Sequence, residues 1–529
     1  MFDFFSARRP ETLGSKAMIA TSHPLATAAG LEILVLGGKA VDAALAAVAV
    51  QCVVDPLMTG IGGDCFALYA PASGGVRALN GSGRAPAAAS VAALKAAGLG
   101  DAIPQTSPHA VTVPGAVSAW CLLHRDLGTL PLARIFERAI GYAEAGFPVT
   151  PRVAQDWANH AGLVGQDAHA AAVFLPGGRA PAPGEVIRQP LLAARLREIA
   201  AGGADAFYAG ATGAAMAGHL SGLGGLHTAE DFAAGAGAAF WTDPIHASYA
   251  GHDIYECPPN GQGLAALVIL KILEGFDLGP DVPLADRLHL HAEAGKLGYF
   301  HRDALIGDPA GCPDLTERLL SDEVIGALRA RIRMDRALPP ALWDEPEHKD
   351  TIYLACVDED GNAISFINSI FHAFGSTRLD PVSGVLFHSR GAQFRLIEGH
   401  PNAIGPMKRP MHTIIPGMVM KDGQVAMPFG VMGGQYQASG HAQFLSNVFD
   451  RGMDLQAAMD EARSFAFDGV LELEPGIPEE VRQDLAARGH VLRIATSPIG
   501  GSQAIAIDRA AGVLRGGSDS RKDGMALGF

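Results

Sequence analysis

The chain has 529 residues, 48% of them apolar and 18% charged, with a formal net charge of −15. This length and apolar content fit a core-rich globular protein, with room for two or more domains or one large two-part body, and give no sign of disorder. The acidic balance argues against nucleic-acid binding and against an anionic membrane surface.

Six cysteines (Cys52, Cys65, Cys121, Cys257, Cys312 and Cys356) stand singly with no CxxC or CxxH spacing, so a zinc or redox motif has little support. The first 16 residues contain no apolar core of a secretory leader, and the longest apolar runs, such as 41–54, are too short and broken to span a membrane. The expectation is a soluble, cytoplasmic protein.

An apolar strand is predicted at 17–20. It is followed by Thr21-Ser22-His23-Pro24 as an N-cap cluster, a helix over 24–36 and a Gly37-Gly38 stop. The Ala/Val-rich stretch 41–54 is apolar nearly all round and predicts a helix buried between layers. Gly60-Ile61-Gly62-Gly63 precedes the strand 66–70 rather than a helix, so it reads as a tight, closely packed turn and not as a dinucleotide loop.

Helices are expected at 116–127, 133–146, 190–202, 264–273 and 282–305, with a capping box at Thr228–Asp231. His289, His291, His301 and Asp303 lie on the last of these helices. Without an H-E-x-x-H they read as surface or satisfied core positions rather than metal ligands. Residues 310–350 turn from helical to Pro- and charge-rich, which suits an exposed segment near a processing point. Beyond 351, strands with glycine turns dominate (351–357, 363–371, 384–387, 413–420, 424–429), then helices at 437–450 and 454–464 and strands near 469–473, 490–495 and 502–507.

The segment 348–371 reads locally as a hairpin, with two β-prone runs around Asp358-Glu359-Asp360-Gly361-Asn362. Thr351 opens its first strand. If the bond after Asp350 were cut, Thr351 would become a chain terminus whose own α-amine could take the hydroxyl proton.

Landmarks spaced along the chain then match a known family in order. They are His23-Pro24-Leu25-Ala26, the run Gly37 to Ala44, Gly60 to Gly63, Val113-Pro114-Gly115, Gly128 to Leu132, Asp350-Thr351 with Val357-Asp358 and Asp360 to Ala363, Lys408-Arg409-Pro410, and Gly433-Gly434. The chain resembles the γ-glutamyltranspeptidase family of N-terminal-nucleophile hydrolases. The resemblance implies a four-layer αββα sandwich (α/β, layered), and a precursor that cuts itself between Asp350 and Thr351 into a large chain, 1–350, and a small chain, 351–529.

By the same resemblance Thr351 is the nucleophile of both processing and catalysis, and Gly433 and Gly434 supply oxyanion-hole N–H groups. Ser369, 18 residues on (369 − 351 = 18), is the second hydroxyl beside the nucleophile. No cofactor or metal is implied. The acceptor is water or an amine, and the two chains pair as a heterodimer or a pair of heterodimers.

The departures from the family cluster in the substrate pocket. Phe371 stands where the family has a glutamyl-binding Asn. Gln393 replaces the Asp that grips the α-amine, and Arg390 appears beside it. His412 and Thr413 replace the paired serines that bind the α-carboxylate. Ser82 stands at the carboxylate-binding Arg position, with Arg84 two residues on. The segment between Phe394 and Pro406 is short, as in members that lack a lid over the glutamyl site.

Losing a buried carboxylate partner for an ammonium costs about 2–5 kcal/mol of discrimination. A pocket with Arg84, Arg390, His412 and Phe371 therefore suits an anionic acyl group without an amine, unless Arg390 merely pairs with a local acid. Three readings stay open: a γ-glutamyl or glutathione-like amidohydrolase, a relative for another amide (oxamate-type, or cephalosporin/glutaryl acylase), and an unprocessed, catalytically silent scaffold.

Overall fold

Two seven-stranded sheets lie face to face, and each mixes strands from the first and last thirds of the chain. The computed structural model describes residues 9–311, 313–339 and 351–529. The sandwich strands are β1 (Thr12–Gly14), β2 (Met18–Thr21), β3 (Asp64–Ala70), β4 (Arg77–Gly81), β5 (Phe240–Thr242), β6 (Ile245–Tyr249), β7 (His252–Glu256), β8 (Ile352–Val357), β9 (Ala363–Ser369), β10 (Gly417–Lys421), β11 (Gln424–Met432), β12 (Gly501–Asp508), β13 (Val513–Ser518) and β14 (Met525–Gly528). One sheet runs β1-β13-β12-β11-β10-β7-β6 and the other β14-β2-β8-β9-β3-β4-β5.

Side-chain alternation explains the layering. In β8, Ile352, Leu354 and Cys356 join the core under α1 (Pro24–Val35), α2 (Ala40–Val54) and α3 (Ala116–Leu127). Tyr353, Ala355 and Val357 point the other way and meet Met418, Met420 and Ile505 of the facing sheet. A strand apolar on both faces must lie between two layers. The facing sheet is covered in turn by α4 (Gly263–Leu273), α5 (Leu284–Leu305) and α6 (Gln437–Phe449). The result is the expected αββα order of layers.

α2 is buried along its whole length, which is why it carries no polar stripe. Gly37 ends α1 at φ +85°, as its position after the helix predicts. The capping box at Thr228–Asp231 forms as expected. Among the described residues, no helix is long and apolar enough to cross a membrane.

Some boundaries differ from expectation. The stretch 384–387 is not a strand but a loop touching its neighbours through single bridges, Leu379 to Leu386 and Gly62 to Phe387. β9 stops at Ser369, because Phe371 takes a left-handed φ of +79° that a strand cannot continue through. The helix predicted over 133–146 divides into Leu132–Ile135 and Glu137–Ala145. Seven of the fourteen sandwich strands, β1 to β7, precede residue 257, interleaved with helices. Asp350 and most of the Pro-rich stretch expected near the processing point lie outside the described residues.

Candidate active site

The hairpin sets the site. Antiparallel pairing of β8 with β9 places Ile352 opposite Asn368, so Thr351 stands one step further out, level with Ser369. Pairing of β9 with β3 puts Asp64 opposite Ser369. Thr351, Ser369 and Asp64 thus meet at one end of the same sheet, and all three are fully buried. The turn is held by the Asp358 carboxylate, which accepts from the Asn362 N–H at 3.0 Å and from the Ala40 N–H at the start of α2, also at 3.0 Å.

The Thr351 and Ser369 hydroxyl oxygens are 3.2 Å apart. Ser369 Oγ also accepts from the Phe371 N–H at 2.9 Å and from Arg390 Nη2 at 3.2 Å. Arg390 Nη1 donates to Thr413 Oγ1 at 3.0 Å, and its guanidinium carbon lies 4.4 Å from the centre of the Phe371 ring. Phe371 therefore serves as a cation–π platform for Arg390. Its strained backbone is of the kind concentrated at functional sites.

Asp64 anchors the cationic side of the site. Its Oδ1 accepts from the N–H groups of Gly83 at 2.8 Å and Gly115 at 3.2 Å. Its Oδ2 lies 2.9 Å from His412 Nε2, 3.1 Å from His388 Nδ1 and 3.9 Å from Arg390 Nε. Burial alone would push this carboxyl up, but His388 and His412 hold it well below the usual carboxylate range. Burial and then Arg390 pull His412 down to about 4. Burial pulls Arg390 down to about 9, opposed by Asp64, so it stays a cation at neutral pH. His372, 2.8 Å from Ser389 Oγ, falls to about 3 through burial and then Arg390.

The glycine pair lies at the end of β11. Gly433 has φ +123°, and a Cβ there would stand 2.8 Å from Gly500 Cα, while Gly434 has φ +57°. At Gly433 only glycine fits this backbone without strain. Gln262 Nε2 donates to the Thr413 carbonyl at 2.6 Å and to the Gly434 carbonyl at 3.2 Å, tying the pair to the strip that receives Arg390. Arg302, from α5, donates to Gln262 Oε1 at 2.8 Å and also to Gln435, whose carbonyl accepts from the Tyr299 hydroxyl. Linked hydrogen bonds thus run from Thr351 through Ser369, Arg390, Thr413 and Gln262 to Gly434.

Of the positions singled out in the sequence, Thr351, Ser369, Phe371, Arg390, His412, Thr413 and Gly434 join this network. Gln393 is buried on the same short turn as Arg390, and its carbonyl accepts from Asn402 Nδ2 at 2.7 Å. Arg84 is not drawn into the network. It is half-buried and donates to the Met407 carbonyl at 2.8 Å. It also lies beside Arg409, whose pKa burial and then Arg84 lower to about 10.

Sequence reasoning missed Asp64, His388, Gln262, Arg302 and Tyr299. Asp64 had a signal, as a lone acid between a glycine turn and an apolar strand. The turn itself behaves as read: a Cβ on Gly63 would stand 2.4 Å from the Ser369 carbonyl oxygen, so this glycine packs directly beneath the site.

A two-sheet sandwich with a hydroxyl residue opening a central strand defines the N-terminal-nucleophile hydrolase class, and the known proteins agree. The crystal structure of cephalosporin acylase from Bacillus halodurans superposes with a TM-score of 0.93 at 39% identity, covering 100% of this chain and 99% of that one. The glutathione hydrolase-like YwrD proenzyme of Bacillus subtilis is 36% identical over 98% of this chain and 99% of its own length. The acylase ACY 1 proenzyme of Pseudomonas sp. (strain SE83) is 35% identical over 99% of this chain and 95% of its own. The gamma-glutamyltranspeptidase family pattern matches residues 26–529. The chain belongs to the γ-glutamyltranspeptidase family and is an N-terminal-nucleophile amide hydrolase.

Proposed function

We propose that this protein is a self-processing amidohydrolase for amides whose acyl group carries a carboxylate but no α-amine. The observation that carries this reading is the commitment of Asp64. Its carboxylate already receives two backbone N–H groups and faces two imidazoles. It is therefore not available to an ammonium, while Arg390, whose Nε lies 3.9 Å from that same carboxylate, keeps its guanidinium one hydroxyl away from Thr351. The side chain at 393 is neutral where an acid would grip an amine.

Processing begins with attack of Thr351 Oγ1 on the carbonyl carbon of residue 350, which transfers the acyl group from nitrogen to oxygen. Water then hydrolyses the ester, leaving the Asp350 carboxylate and a free Thr351 amine. In turnover that amine, with an ordinary pKa of about 7.7–8.0, takes the Thr351 proton as Oγ1 attacks the substrate amide. The N–H groups of Gly433 and Gly434 receive the oxyanion. The leaving amine departs protonated, and water, or a competing amine, releases the acyl group. The two chains of one precursor remain together as a heterodimer, since each sheet contains strands from both sides of the cut.

Glutaryl-p-nitroanilide and γ-glutamyl-p-nitroanilide share the same acyl skeleton and differ only in the α-amine, so their kcat/KM ratio tests the reading. The glutaryl compound should be favoured by at least tenfold, with oxamate as a short-chain comparison. Preference for the γ-glutamyl compound would overturn it.

A further inference from the structure

α5 brings a second group of ligating side chains together, away from the Thr351 network. His289 and Glu293 are four residues apart and share one face of the helix. Arg302, which donates to Gln262 and Gln435, is 13 residues beyond His289 (302 − 289 = 13) and nine beyond Glu293 (302 − 293 = 9), about 20 and 14 Å at 1.5 Å per residue. His490 joins them from the turn after the helix Glu479–Ala487. His289 Nδ1 is 2.8 Å from His490 Nε2, and His490 Nε2 is 4.0 Å from Glu293 Oε1. One donor atom from each residue lies within 4.8 Å of the others, and all three residues are buried.

The outer partners are those of a metal site. His289 Nε2 is 2.9 Å from the Arg333 carbonyl, so this nitrogen carries the proton and the Nδ1 lone pair faces inward. Glu293 Oε2 accepts from the Leu338 N–H at 2.6 Å, leaving Oε1 to face the histidines. Such outer hydrogen bonds orient ligands and fix their tautomer. In the metal-free form His490 Nε2–H donates to the His289 Nδ1 lone pair, and metal binding would shift that proton to His490 Nδ1 so that both inward nitrogens can ligate.

Lys296 Nζ occupies the cation position, 2.7 Å from Glu293 Oε1 and 3.1 Å from the Leu338 carbonyl. A cavity of about 20 Å³ lined by Lys296, Leu338, Gly489 and His490 adjoins it. That is room for one water, the missing fourth ligand of a tetrahedral site.

We propose that His289, Glu293 and His490 bind one divalent transition-metal ion, with Zn²⁺ the best fit, and that Lys296 is the resident cation it displaces. Two imidazoles and a carboxylate suit Zn²⁺ or Co²⁺ rather than Ca²⁺ or Mg²⁺. At metal–ligand distances of about 2.0–2.1 Å, tetrahedral donor atoms sit about 3.3 Å apart. The two nitrogens, 2.8 Å apart, would separate by about 0.5 Å, and Glu293 Oε1, 4.0 Å from His490 Nε2, would approach it by about 0.7 Å. The bound ion would clamp residues 333–338, which already dock here through Arg333, Leu338 and the bond from the Ala337 N–H to the Arg488 carbonyl at 2.7 Å. The site is structural: it holds the end of the segment that precedes Thr351 by 13 residues (351 − 338 = 13).

The test is a Co²⁺ titration of tag-free, EDTA-stripped full-length protein, read by visible absorption, with Zn²⁺ calorimetry beside it. One equivalent of Co²⁺ should give the intense d–d band of a four-coordinate site. His289→Gln and His490→Gln should each abolish it. Lys296→Met, which removes the competing ammonium, should tighten binding at least tenfold. Near-UV circular dichroism of the metal-free variants establishes that they are folded, and Lys296→Met tests the proposal even where a histidine variant is not. Absence of stoichiometric binding, equal binding in the folded histidine variants, or unchanged or weaker binding in Lys296→Met would overturn it.

Discussion

Asp64→Asn removes one charge from the centre of the site while keeping the side chain's shape. In the wild type, Oδ2 lies 2.9 Å from His412, 3.1 Å from His388 and 3.9 Å from Arg390, all fully buried. The asparagine can still accept from the Gly83 and Gly115 N–H groups. Its NH₂ group would meet the two imidazoles, and Arg390 would be left as an uncompensated buried cation. Breaking a buried charge set from one side costs about 3–5 kcal/mol. Urea unfolding should therefore give a stability lower by roughly 3 kcal/mol or more at pH 7. kcat/KM should fall as well, because Arg390 loses an anchor for its grip on Ser369.

The pH dependence has a definite sign. The folded-state pKa of Asp64 is depressed, so its contribution is fully present above the unfolded value near 3.9. It is lost as pH falls through the lower folded value. The gap between wild type and Asp64→Asn should thus stay constant from pH 7 to about 5 and close towards pH 3 and below. A variant within ~0.5 kcal/mol of wild type at pH 7, or a gap unchanged across the acid range, would refute the assignment of Asp64 as the charged anchor.

Three further outcomes follow from the same network. Ser369→Ala deletes the hydroxyl that touches Thr351, Arg390 and the Phe371 N–H. Precursor cleavage, followed on a denaturing gel, should slow by about 10- to 100-fold, since one positioned hydrogen bond to a charged group is worth roughly 1.5–3 kcal/mol. Gly433→Ala forces a Cβ to 2.8 Å from Gly500 Cα at φ +123°. It should cost about 1–3 kcal/mol in urea unfolding and about 10²–10³ in kcat. Arg390→Met keeps the contact with Phe371 but removes the cation. In kinetic assays it should lower kcat/KM for the glutaryl amide by at least tenfold and leave a neutral acyl amide of the same length much less affected.

How much of this was legible in the sequence depends on the range of each interaction. The hairpin was readable because its signal is local: an Asp-Gly turn between two β-prone runs, from which the 18-residue spacing brings Ser369 level with Thr351. α2 was readable because an all-apolar helix has one stable location. The end of β9 before Phe371 was not, because nothing in the local sequence requires a phenylalanine to adopt φ +79°. That conformation is held by the Ser369 hydroxyl and Arg390. Asp64, His388 and His412 come from segments as much as 348 residues apart, so their convergence belongs to the tertiary fold. His289 read in the sequence only as a surface or core position, because its neighbour His490 lies 201 residues away.

The central claim is that Thr351 cuts the chain before it catalyses. Mass spectrometry of purified wild-type protein on a denaturing separation tests this most directly, with Thr351→Ala beside it. The wild type should give two chains, of 350 and 179 residues (529 − 350 = 179), the smaller beginning at Thr351, and the variant should stay as a single 529-residue chain without activity. An active wild-type preparation that remains one intact chain, or a small chain beginning at another residue, would contradict the account.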